Sequence, residues 1–207
     1  VAEALGRTPV TKSNFDENSL TTLLSDEELE VRMEALKSVA ISGKAISSAA
    51  KNLKDLIALS NWRIRKGVVS LLPKISNIYD QKKFNSEMLP ILKSLLNDEA
   101  SHVRNETTNI LVDLVKKYGD KWEKSSLFPL INDLAASPDY MLRKTAIEAI
   151  TAIKCFDQFS AVLENLSKDS VPNVRMVLAR SLPRNSSLLE KLKSDNDQDV
   201  KDCAAQR

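Results

Sequence analysis

Apolar side chains along this chain recur in pairs three residues apart, and nine residues after the second of each pair comes a basic residue that follows an apolar one. The six dipeptides are Val31-Arg32, Ile64-Arg65, Val103-Arg104, Leu142-Arg143, Val174-Arg175 and Val200-Lys201, with basic residues 33, 39, 39, 32 and 26 positions apart. Nine before each basic residue stand Leu23, Leu56, Leu95, Leu134, Leu166 and Leu192. Twelve before stand Leu20, Leu53, Leu92, Ile131, Leu163 and Leu189, and seven after come Val39, Leu72, Leu111, Ile150 and Leu182. A spacing of three lies on one face of a helix. Each unit is therefore predicted to be a helix A, a tight turn and a helix B that begins near the basic residue.

Fixed-period self-similarity of about 40 residues is the signature of HEAT or armadillo arrays. Pro90 and Pro129 fall equivalently in helix A, and Pro73 and Pro183 fall eight residues after the basic residue in helix B. Interior prolines bend helices, and two-helix units with a bent helix A favour HEAT over the three-helix armadillo unit. The expected fold is all-α, an α-solenoid of stacked HEAT-type helical hairpins over 15–207, with units near 15–42, 45–80, 84–119, 121–154, 156–184 and 185–207. Residues 1–14 read as a helix end and polar linker. No single hairpin can bury its own apolar stripe, so the units must stack. Neither end reads as a polar cap, and the chain starts at Val1 without Met, so either a segment of a longer solenoid or a partner covering the ends is expected.

A repeat supplies an internal control, because columns that recur serve stacking and columns that change are free for specific work. Six before the basic residue stand Asp26, Asp98, Asp169 and Asp195, with Leu59 and Ser137 as exceptions. A repeated carboxylate and guanidinium are expected to pair within or between units, forming a structural ladder of Asp26, Arg32, Arg65, Asp98, Arg104 and Asp169. The columns two and three before the basic residue vary, and they place Trp62, Arg63 and Tyr140 at the A–B turns. Trp, Tyr and Arg are the residue types that anchor interfaces. His102 reads as a surface histidine, Trp122 as packing at a repeat junction, and Lys116-Lys117 as a solvent face.

Composition narrows the function. The net charge is +2 from 30 basic and 28 acidic residues, too balanced for a protein that coats phosphates, so no nucleic acid is expected as a partner. No apolar run reaches bilayer length, so no membrane partner is expected. Cys155 and Cys203 fall in predicted helices without metal-like spacing and read as reduced thiols of a cytoplasmic or nuclear protein. With one His, two Cys and four Gly, neither a phosphate-binding loop, a catalytic triad nor a metal site can be assembled by recognisable spacing. No enzyme activity, cofactor or small-molecule substrate is expected.

The runs NWRIRKGVVSLLP, HVRNETTNILVDLVKKYGDKW, PDYMLRKTAIEAI, PNVRMVLARSL and DQDVKDCAAQ resemble the C-terminal HEAT repeats of the scaffolding A subunits of type 2A protein phosphatases. The resemblance spans about residues 50–207; residues 1–49 are only generically HEAT-like. It implies a non-catalytic scaffold whose intra-repeat turns bind a serine/threonine phosphatase catalytic subunit, with a regulatory subunit as a further partner. The contacts it implies are Trp62, Arg63, Tyr140, Arg143, Asn173 and Arg175. Ser101 departs from that family, which favours an aromatic there, and the short fourth-to-fifth interval departs as well. A tubulin-binding TOG-type array also places a Trp and basic residues in these turns, but the later turns here offer Ser101-His102, Tyr140-Met141 and Pro172-Asn173, which weakens that reading. A helical-repeat DNA glycosylase would need a strongly basic groove.

Overall fold

The computed structural model describes residues 17–42 and 47–207; the expected linker over 1–14 lies outside them. Every regular element among the described residues is helical. The helices gather into two compact units, one running to Tyr118 and the other from Gly119.

The first unit holds α1 (Glu17–Leu23) with α2 (Leu29–Ser42), α3 (Ser47–Ile57) with α4 (Trp62–Ser76), and α5 (Gln81–Lys83) and α6 (Leu89–Leu96) with α7 (Ser101–Trp122) as far as Tyr118. In the second unit, α8 (Phe128–Ala135) precedes α9 (Tyr140–Ile153), α10 (Ser160–Leu166) precedes α11 (Pro172–Ser181), and α12 (Ser187–Leu192) precedes α13 (Gln198–Ala205). This is the α-solenoid class of stacked helical hairpins. The columns twelve before and seven after the basic residue are buried throughout, from Leu20 and Val39 to Leu182 and Leu189. The helical run of α7 is interrupted at Gly119, where φ is 78° and ψ is 177°, a backbone state open to essentially glycine alone.

The prolines act by two different routes. Five-residue π-turns, Phe84–Met88 and Glu123–Leu127, stand immediately before α6 and α8. In them the amide of Leu89 donates to the carbonyl of Phe84, and the amide of Phe128 donates to that of Glu123. A proline ring clashes with the carbonyl four residues back, and the wider turn moves that carbonyl aside. Pro90 and Pro129 then sit in the first turn of a new helical segment, where no amide hydrogen is missed. Pro73 lies inside α4 as expected. Pro183 does not lie in a helix: α11 stops at Ser181, and Leu182 is extended, the backbone state that a following proline imposes. Cys155 likewise falls outside the expected helix, because Lys154 takes the left-handed conformation (φ 58°) and ends α9 before it. Trp122 is completely buried.

The turns are locked by one repeated arrangement. The Asp six before the basic residue accepts from the amide two residues on, at Glu28, Ala100, Val171 and Asp197. Ser137, the exception, makes the same local turn with its hydroxyl, accepting from Asp139 N at 3.1 Å. The Arg of the same unit then donates through Nη1 to the freed carbonyls of that turn: Arg65 to Leu59 and Ser60, Arg104 to Asp98 and Glu99, Arg143 to Ser137 and Pro138, Arg175 to Asp169. In Arg65, Arg143 and Arg175 the other nitrogens reach forward to the next unit's carboxylate.

Among the described residues three such forked ion pairs form, Arg65–Asp98 at 2.6 and 2.8 Å, Arg143–Asp169 at 2.5 and 2.8 Å, and Arg175–Asp195 at 2.8 Å on both arms. All six side chains are at most 15% exposed. Of the expected ladder set, Arg65, Asp98 and Asp169 take part in these pairs, joined by Arg143, Arg175 and Asp195; Asp26 accepts from the Glu28 amide of its own turn, and Arg104 has Ser137, not an Asp, in the next turn's column. Arg32 differs, since the next turn carries Leu59 in that column, and its Nε is buried without a hydrogen-bond partner.

Burial pushes the Asp169 carboxyl up, but the bond from Arg143, the Val171 amide and the charges of Arg143 and Arg175 outweigh it and hold the group below the usual carboxylate range. The hydrogen bond from Arg175 does the same for Asp195. Removing one partner of such a pair leaves a charge uncompensated, so Asp169→Ala is expected to cost about 3 kcal/mol by urea denaturation. Lys191→Ala, which breaks only the exposed pair with Glu164, is expected to leave the midpoint unchanged. Because the Asp169 and Asp195 values are depressed on folding, their stabilisation is full above the unfolded carboxylate value of about 3.9 and is lost as pH falls through the folded one. The stability of wild type should therefore fall more steeply below about pH 4 than that of Asp195→Asn.

Candidate functional site

The A–B turns carry the side chains that differ from unit to unit. In the second hairpin, the Asn61 side chain caps α4 by accepting from Arg63 N at 3.0 Å, which sets Trp62 and Arg63 in the first helical turn. Arg63 is exposed and its guanidinium carbon lies 4.8 Å above the Trp62 ring. Trp62 is half-buried, and the ring of His102, from the first turn of α7, lies 4.8 Å from it between ring centres with 31° between planes. His102 is a surface histidine as expected, but one that is stacked. The three side chains make a continuous aromatic and cationic face on the first unit.

In the second unit Asp139 caps α9, accepting from Met141 N at 2.8 Å, and so places Tyr140, half-buried, at the helix start. Asn173 is exposed in the first turn of α11 and lines a groove of about 280 Å³ with Pro172, Met176, Asp197 and Asp199. The other two residues assigned to this edge are differently engaged. Arg143 and Arg175 give their guanidinium groups to Asp169 and Asp195, and Arg175 also donates to Asn196 Oδ1 at 2.8 Å. Both sit beneath the turns as supports, whereas Trp62, Arg63, Tyr140 and Asn173 stand at them.

Sequence spacing missed the Trp62–His102 stack, because the partners are forty positions apart in different columns. The signal was present in the side-by-side turn positions of successive units. It also treated Lys117 as a solvated lysine; its ammonium is half-buried and donates to the Ser76 carbonyl. Cys155 and Cys203 are both free, and burial, followed by the charge of Glu123, pushes the Cys155 thiol up to about 12. Among the described residues no group of three His, Cys, Asp or Glu side chains is placed to hold a metal ion. No helix among them is long and apolar enough to cross a membrane.

No family model matches the chain. It is 28% identical over 144 residues to serine/threonine-protein phosphatase 4 regulatory subunit 1 of Mus musculus, and equally to that of Homo sapiens. The chain is similar to a phosphatase regulatory subunit. The matched part is 63% of this chain and 15% of those relatives, so the chain spans about a seventh of the length of the curated proteins it matches. Among solved structures, the X-ray structure of YibA of E. coli covers 93% of this chain and 70% of its own, with a TM-score of 0.51 and 20% identity. That likeness is one of fold.

A ring stack with a cation above it contributes about 1 kcal/mol beyond its buried area. A double-mutant cycle between Trp62→Ala and His102→Ala should give a coupling near that value in urea denaturation, and zero coupling would remove the stack. Arg63→Ala alone should change stability by less than about 0.5 kcal/mol, as for other exposed positions.

Proposed function

We propose that this chain is a non-catalytic scaffold, or a part of one, that holds a serine/threonine protein phosphatase catalytic subunit along its intra-repeat turns. The observation that carries this is the face made by Trp62, Arg63 and His102. An indole and a guanidinium, held by a cap and a stack at the surface, are what a docking edge needs and what a helical hairpin by itself does not. The similarity to a phosphatase 4 regulatory subunit points the same way. Tyr140 and Asn173 extend the docking set in the second unit. Arg143 and Arg175 serve it from beneath, by fixing the turns from which those side chains project.

Such a scaffold works without chemistry of its own. It raises the effective concentration of an enzyme near the factors that give it specificity. Buried, paired supports keep the docking side chains in place before the partner arrives, which lowers the ordering cost of association.

Trp62→Ala combined with Arg63→Ala is expected to abolish co-purification of type 2A and type 4 phosphatase catalytic subunits, with helical circular dichroism unchanged. Undiminished capture would reject the assigned face. Arg104→Ala, which loses the contacts to the Asp98 and Glu99 carbonyls, should lower the melting temperature while sparing capture below the melt.

A further inference from the structure

A recess of about 360 Å³ opens on the first unit between the C-terminal part of α4 and the later turns of α7. Pro73, Lys74 and Asn77 line one wall, and Asp113, Lys116 and Lys117 the other. Three ammonium groups thus share the space with one carboxylate. Asp113 lies 4.0 Å from Lys116, and both are well exposed, so that pair is weak and screened.

The remaining charge has no local answer. Among the described residues no carboxylate lies within 4 Å of Lys74 or Lys117. Lys117 donates to the Ser76 carbonyl, which also accepts from the Tyr118 hydroxyl at 3.0 Å, and stands 5.0 Å from the Tyr118 ring. Its burial lowers its pKa, so its charged form would gain from an anion. About two helical turns earlier on the same two helices, Lys66 and Glu106 approach to 3.8 Å and cancel each other. The lysine of that earlier pair is thus balanced, whereas those of the recess are not. Tethering of helix-end carbonyls is a common task for a lysine, and it accounts for Lys117. It does not account for Lys74 or Lys116.

We infer that this recess binds an acidic polypeptide segment, taking neighbouring carboxylates on Lys74 and Lys116 beside the fixed Lys117. A peptide suits the site better than a free anion for two reasons. The space is larger than an inorganic anion fills, and the exposed Asn77 amide offers both a donor and an acceptor to a main-chain peptide group. Compact ammonium groups without an adjacent free aromatic face also suit carboxylates better than stacked bases. The site is separate from the Trp62 face and does not depend on it.

The test is fluorescence anisotropy of a labelled hexaglutamate peptide at low salt, with the whole chain. Lys74→Glu with Lys116→Glu is expected to weaken binding about tenfold or more, and raised salt to weaken the wild-type complex. Lys51→Glu with Lys54→Glu, which changes net charge equally on the exposed surface of α3, should have little effect, and Trp62→Ala with Arg63→Ala none. Equal loss in the Lys51 and Lys54 variant, or no loss in the Lys74 and Lys116 variant, would overturn the assignment. So would displacement of the peptide by inorganic phosphate at equal concentration, which would make it a simple anion site. Circular dichroism of each variant separates lost binding from lost folding.

Discussion

Within each compact unit, hairpins are tied to their neighbours by a guanidinium that serves two turns at once, at Arg65, Arg143 and Arg175. One nitrogen of the Arg at the start of helix B closes the carbonyls of its own A–B turn, and the other arm grips the Asp that opens the next. That Asp in turn caps its own loop. Apolar burial supplies most of the favourable energy of the stack, but it is non-directional and would tolerate sliding of one hairpin along another. A forked ion pair between planar groups tolerates little. The ladder therefore fixes where each turn sits, and everything displayed at the turns inherits that placement.

The same logic explains the exceptions. Ser137 can rebuild the local turn with a hydroxyl but cannot offer a carboxylate to an Arg. Leu59 can do neither, and the turn that contains it is organised instead by Asn61, the cap of α4. An orphaned Nε on Arg32 is the trace of that missing acceptor. A single column thus carries two separable jobs, and each substitution within it shows which job has been dropped.

Much of this was legible in the sequence. The apolar columns predicted the hairpins because a helix that buries one face must repeat its apolar residues at helical spacing, and Leu53, Leu92, Ile131 and Leu163 are all buried. The Arg and Asp columns predicted a ladder because repeated geometry needs repeated residues. What stayed hidden depends on distance or on backbone detail. The docking roles of Arg143 and Arg175 are implied by the resemblance alone, and a matching position does not say which way a guanidinium turns; both are engaged with the next unit's Asp. The π-turns before Pro90 and Pro129 leave no compositional mark of their own. Lys154 ends its helix in a left-handed conformation with no glycine to announce it.

The two surfaces singled out on the first unit share one helix. Trp62 opens α4, and Pro73 and Lys74 lie near its end; at a rise of 1.5 Å per residue, about 17 Å of axis separates the aromatic face from the lysine recess. On the two proposals, one helix bears an anchor for a partner at its start and a positively charged cradle toward its end. A folded domain with an acidic tail could reach both, and the second contact would then form at the effective concentration set by the tail rather than by bulk. Neither contact needs a residue of the ladder, so binding can change from one partner to another without disturbing the stack. This separation allows a repeat protein to vary its partners while keeping its fold.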